Sequence, residues 1–333
     1  MTEILLKQKD VAMIDTQGTQ VTINLPGDVS FAFNQDQSIP TGISMDGDAI
    51  ASGYFHGKTT DEMVTANIIT FDDNDRKVAS IVDEKNALVY HIAPDADGDM
   101  IVTRTGANDF PEEIDPIDGE DGEVDIMTGN RFLRSQPVSS RNLQDDGSIL
   151  DVLVVWTDKA ECRQSNLPKG CSKTVSTESN IRALIDLAVS ETNTAYTASG
   201  VNTQLRLVHA YKHESFDEDV SGFSNALSQL RSTADGILDD VHPLRTQHGA
   251  DLVALIIDHS SYCGIAYLGP SKSSMFSVTA RTCATGYFSF GHEIGHNLVR
   301  MKVIYFHMQL NVFHFLINLM NVYKMFLSIL KGL

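Results

Sequence analysis

Gly291-His292-Glu293-Ile294-Gly295-His296-Asn297-Leu298 is the stretch on which the reading of this chain turns. Histidines four positions apart share one face of a helix, so His292 and His296 can aim imidazole nitrogens at a single ion. Glu293 lies about 100° around the helix from His292. That puts its carboxylate beside the ion rather than on it, placed to take a proton from water. Neutral imidazoles suit Zn2+, which activates water near neutral pH when one coordination position is open.

Upstream of this stretch, strands and helices alternate. Residues 149–156 and 252–257 are nearly continuous apolar runs, as in strands covered on both faces. Residues 203–209 read as a further strand. Ser176 or Thr177 is positioned to cap a helix through Ile181, Leu184, Ile185, Ala188 and Ala195 that ends at Gly200. Residues 221–247 read as helical with a break at Pro243. The alternation predicts an α/β domain with a largely parallel sheet. Residues 10–105 differ: short alternating strands at 21–25, 66–71 and 87–92 are separated by turns such as Met45-Asp46-Gly47 and Asp97-Gly98, which predicts a β-rich domain.

Charge divides the chain at the same place. Of 333 residues, the first 150 hold 28 acidic and 10 basic residues and the remainder 16 and 15, for a net charge of −19. So acidic a chain is poorly suited to a nucleic-acid backbone. Residues 109–125 carry nine acidic positions and read as a solvated loop without the spacing of a calcium loop. Residues 131–141, with Arg131, Arg134, Arg141 and several serines, read as an exposed linker of the kind that proteases cut.

All four cysteines follow residue 150. Local pairs, Cys162 with Cys171 and Cys263 with Cys283, close short loops and imply an oxidising compartment. Four free buried thiols are the alternative, and counts alone do not choose. The start, MTEILLKQKD, has no basic segment followed by a long apolar core, so no secretory signal is read there. Of the other histidines, His209, His213, His242, His248 and His259 read as core or surface residues. Asp258-His259-Ser260 has no nucleophile elbow to make it a hydrolase triad.

The run from Gly291 to Leu298 resembles the active-site helix of the metzincin zinc metallopeptidases, in their reprolysin-like (M12B-type) branch. Cys263-Gly264-Ile265-Ala266-Tyr267-Leu268-Gly269, Met275-Phe276-Ser277-Val278 and Cys283 also resemble that branch, where they form the edge strand along which a peptide lies. The resemblance covers about residues 149–298. It implies a mixed, mostly parallel sheet with an active-site helix, and a Zn2+ cofactor held by His292 and His296 with Glu293 as general base. It further implies a peptide or protein substrate and an extracellular setting. Residues 1–130 then correspond to an acidic β-rich propeptide, and 131–148 to a processing region.

The family pattern breaks off after His296. Its glycine position holds Val299 and its third histidine position holds Lys302. A continuing helix would carry residue 302 roughly 240° away from His296, and a β-branched valine resists the turn that would bring it back. His307, roughly 16 Å further along a helix, is out of reach, and His314 more so. No Asp or Glu follows Glu293, while six aromatics crowd residues 301–333. Residues 299–333 therefore read as an aberrant tail, most economically translated non-coding sequence such as a retained intron. Residues 310–330 are long enough to span a bilayer, but Lys324 and several asparagines make an anchor expensive.

The sequence thus predicts a zinc-dependent metalloendopeptidase in zymogen form, with weak zinc binding and little or no activity because the third ligand is missing. The alternative is a non-catalytic adhesion, regulatory or tail-anchored protein carrying a dead protease half.

Overall fold

The computed structural model describes residues 13–38, 48–71, 76–118, 149–269 and 271–298. The N-terminal part is an eight-stranded meander. Its strands are β1 (Met13–Gln17), β2 (Gln20–Leu25), β3 (Val29–Gln35) and β4 (Ala51–Lys58), then β5 (Val64–Phe71), β6 (Arg76–Asp83), β7 (Leu88–Pro94) and β8 (Met100–Gly106). Each pairs antiparallel with the next, in sequence order. Alternation produces this sheet: Val21, Ile23 and Leu25 of β2 are buried with Phe33, Ile81 and Ile92. The turn expected at Asp97-Gly98 joins β7 to β8. Asp95 accepts the amides of Asp97 and Asp99, and Gly98 takes the positive φ of 89° that only glycine adopts freely. Met45–Gly47 lies outside the described residues.

The remaining strands are β9 (Ile117–Asp118), β10 (Ile149–Thr157), β11 (Gln204–His213), β12 (Leu252–Ile257), β13 (Gly264–Leu268) and β14 (Phe276–Ala280). They form one sheet in the order β11-β10-β12-β14-β13-β9. β11, β10, β12 and β14 run parallel to their neighbours, β13 is antiparallel to β14, and β9 pairs parallel with β13. Every residue of β12, β13 and β14 is buried, which accounts for the continuous apolar run of β12. Among the described residues five helices accompany the sheet: α1 (Asp158–Gln164), α2 (Val175–Ala198), α3 (Glu218–Arg231), α4 (Val241–His248) and α5 (Ser289–Leu298). Mixed α/β architecture is therefore established for this half.

Three expectations need correction. The cap of α2 is Thr174, not Ser176 or Thr177; Thr177 instead completes a reciprocal capping box with it. The helical stretch 221–247 does not break at Pro243. Helix α3 ends at Arg231 and α4 starts at Val241, so Pro243 sits in the first turn of α4, where a missing N–H is tolerated. The acidic run 109–125 is not simply a solvated loop. Its described part, up to Asp118, lies against β13, with Phe110 and Ile114 packed on the core.

Helix α2 links the two sheets. Ile181, Leu184, Ile185 and Ala188 recur at helical spacing and pack on Val152, Val154 and Trp156 of β10. Its opposite side meets the meander through Ala183 and Leu187 against Ile69, Phe71 and Val78. Around that small apolar patch the seam is polar. Asp186 accepts the amides of Ile50 and Ala51, both at 2.8 Å, and Tyr54 hydrogen-bonds Thr194. Arg76 donates to Ser176 and Asn180, and Arg182 pairs with Asp48. Glu191 accepts from the Ser80 hydroxyl and from the amide of Gly286.

Candidate metal centre

Helix α5 places the two histidines as their spacing requires. His292 and His296 bring their Nε2 atoms to 3.1 Å, with the rings nearly perpendicular. A tetrahedral ion with bonds of about 2.0–2.1 Å separates two ligand atoms by roughly 3.3 Å, so the pair fits one zinc. Among the described residues, His292, Glu293 and His296 form the one group whose ligand atoms all lie within 4.8 Å of one another. Burial pushes His292 down to about 4. Burial and then the neighbouring His292 push His296 to about 3. Both imidazoles are thus neutral at pH 7, which is the ligating form.

The surroundings fix α5 from three sides. Beneath it, the Tyr196 hydroxyl of α2 donates to the Gly291 carbonyl at 3.0 Å, and a Cβ at Gly291 would press on Thr192. At its far end the Asn297 amide donates to the carbonyls of Tyr267, Ser274 and Phe276 at 2.8, 2.9 and 3.1 Å, tying the helix to β13 and β14. Beside it, Gly264 of β13 leaves the room that the Glu293 carboxyl occupies; a Cβ there would collide with it. The Cys263–Cys283 disulfide joins the approach to β13 with the loop before α5, and Cys162–Cys171 closes the loop between α1 and α2. Both local pairings are formed.

Glu293 is fully buried. Burial first, then the adjacent Glu113, raise its carboxyl well above the usual range. Glu113 comes from the segment before β9. Its Oε1 accepts from Ser289 Oγ at 2.5 Å, while its Oε2 and both Glu293 oxygens have no other hydrogen-bond donor. Burial likewise raises Glu113. Burial and mutual proximity thus both disfavour ionising the two carboxyls together.

Glu113 and Ser289 are not recognisable from the sequence, and Gly264 and Asn297 are given no role by it. Asn297 and Gly264 sit inside the quoted motifs and so carried a signal; nothing marked Glu113 among eight other acidic residues. The other histidines lie elsewhere: His209 stacks on His248 with centroids 4.0 Å apart, and His213 approaches Asp240. Asp258 pairs with Arg281 at 2.9 Å, so Asp258-His259-Ser260 forms no triad. Val299, Lys302, His307, His314 and the tail with its bilayer-length stretch lie outside the described residues. Among the described residues no helix is long and apolar enough to cross a membrane.

Residues 182–300 match the family model described as Metallo-peptidase family M12B Reprolysin-like. Three curated relatives share the name peptidyl-Asp metalloendopeptidase. One from Xanthomonas campestris pv. campestris is 30% identical over 209 residues, covering 62% of this chain and 45% of that protein. One from Stenotrophomonas maltophilia (strain R551-3) is 41% identical over 118 residues, covering 35% and 28%. One from Pseudomonas aeruginosa is 32% identical over 136 residues, covering 36% and 21%. The chain spans less than half the length of each of these relatives. Among solved structures, a chain in "Structure of a chaperone-substrate complex" matches at 20% identity and a TM-score of 0.34, covering 45% of this chain and 24% of that one, too slight a likeness to define the fold. Residues 182–300, which bring His292, Glu293 and His296 together on α5, are thus similar to the M12B reprolysin-like metallopeptidases.

Proposed function

We propose that the protein is a zinc-dependent metalloendopeptidase in precursor form. The observation that carries this reading is the convergence of the two Nε2 atoms at 3.1 Å beside a buried carboxyl. His292 and His296 would hold Zn2+, which when bound supplies Lewis acidity and acidifies water. Glu293 would take a proton from that water on a carboxylate oxygen and return it to the leaving amine. β13 would align the peptide backbone by strand addition. Residues 1–130 act as a propeptide and 131–148 as its processing region, ahead of a peptidase domain in 149–298. The names of the relatives point to Asp-containing peptides as substrates, and the two disulfides agree with an extracellular setting.

With Lys302 at the third ligand position, the chain as it stands should bind zinc weakly and cleave slowly or not at all. Chelator-competition titration is the test. Wild type should take up one zinc with modest affinity, and His292→Ala or His296→Ala should abolish it. Glu293→Gln should retain zinc and remove any residual cleavage. No zinc uptake, or uptake indifferent to both histidines, refutes the reading and leaves a non-catalytic protein with a dead protease half.

A further inference from the structure

We propose that residues 110–118 are this chain's own occupant of the peptide groove, held in place so that Glu113 covers Glu293. The proposal rests on the peptidase reading of α5 for its consequence, but not for its geometry. The Cys263 amide donates to the Glu112 carbonyl, and the Ile114 amide donates to the Gly264 carbonyl, each at 3.0 Å. The ladder continues at Tyr267 with Ile117 and Leu268 with Asp118. This is strand addition to β13, which would otherwise be the edge of the sheet.

Side chains fix the register. Phe110 stacks on Tyr287 with ring centroids 4.4 Å apart and planes 11° from parallel. Ser289, fully buried at the start of α5, donates to Glu113 Oε1. The other oxygen of Glu113 is left against Glu293. Tyr287 thus receives a ring, Ser289 a carboxyl, and β13 a backbone. One extended acidic segment satisfies all three. Because it is tethered within the chain, its effective concentration is in the millimolar range, enough to exclude a free peptide present at micromolar levels.

The test uses the full chain and a fluorescein-labelled peptide copying residues 107–118, read by anisotropy. The combined variant Phe110→Ala, Glu113→Ala, Ile114→Pro removes the stack, the carboxyl and one backbone donor. It should bind the probe at least tenfold more tightly than wild type, and its Cys263 amide should exchange with deuterium at least tenfold faster. Equal binding by the two proteins, or binding by neither, overturns the proposal. Should the combined variant fail to fold, Phe110→Ala alone keeps every backbone bond and must still bind the probe several-fold more tightly than wild type. Probe binding is measured without zinc, so loss of the metal reading leaves this comparison intact. Conversely, zinc uptake that depends on the histidines does not rescue it.

Discussion

Gly264 shows how much one missing methyl group decides. The Glu293 carboxyl fills the space in which its Cβ would stand. Gly264→Ala should therefore destabilise the protein by about 1–3 kcal/mol, the usual range for overpacking a tight core, seen as a lower urea midpoint. An unchanged midpoint would mean that Glu293 moves aside freely. Glu191 is the corresponding position in the seam, where burial raises its carboxyl to about 7 from an ordinary 4.5. The folded protein keeps that proton between pH 4.5 and 7 while the unfolded chain has released it, so stability present below pH 4.5 is lost as pH rises through 7. The loss amounts to about 3 kcal/mol. Glu191→Gln should be spared it, and the stability difference between variant and wild type should grow by that order from pH 4.5 to 8. His91, in the same seam and pushed down to about 4 by burial, works in the opposite sense: it weakens the fold as pH falls from 6.5 towards 4. A variant curve parallel to wild type throughout would show that Glu191 ionises normally.

Among the elements, α5 and β13 depend on each other. Asn297 spends its amide on three carbonyls of the sheet, and the Cys263–Cys283 bond ties the two approaches. Asn297→Ala leaves those buried acceptors short of a donor and should cost about 1–3 kcal/mol, with a parallel fall in zinc affinity because His296 is the preceding residue. A stability loss without any change in zinc uptake would separate the tether from the site. Breaking the disulfide by Cys283→Ser should cost about 3 kcal/mol for a loop of this length, measured by urea titration against the oxidised protein. Periodicity found most of these elements. The apolar runs of β10 and β12 and the spacing along α2 were readable because one strong period governed each. Thr174 escaped because three hydroxyl residues within four positions, Thr174, Ser176 and Thr177, could each have capped α2, and hydrogen bonds selected one. Pro243 misled because proline breaks a helix in its middle but suits its first turn. The place of Glu113 could not be read at all, since it depends on an encounter with residues about 180 positions away along the chain.

Across the molecule, the two sheets meet on α2, which is covered on both sides. If a protease site is engineered into residues 131–141 and cut, both pieces should co-elute on size exclusion in dilute buffer. They should part in urea concentrations at which Trp156, the one tryptophan and 1% exposed, still reports a native environment. Separation without urea would show that the seam adds little. The composition of that seam also sets the fate of the two halves once they have parted. Asp186, Glu191, Asn180 and Thr194 line the face of α2 that the meander covers, with Ala183 and Leu187 among them. A helix shielded by greasy residues would turn sticky once stripped. This one would present acids, amides and hydroxyls that hydrate at once, so the half left behind should stay dispersed in solution rather than clump.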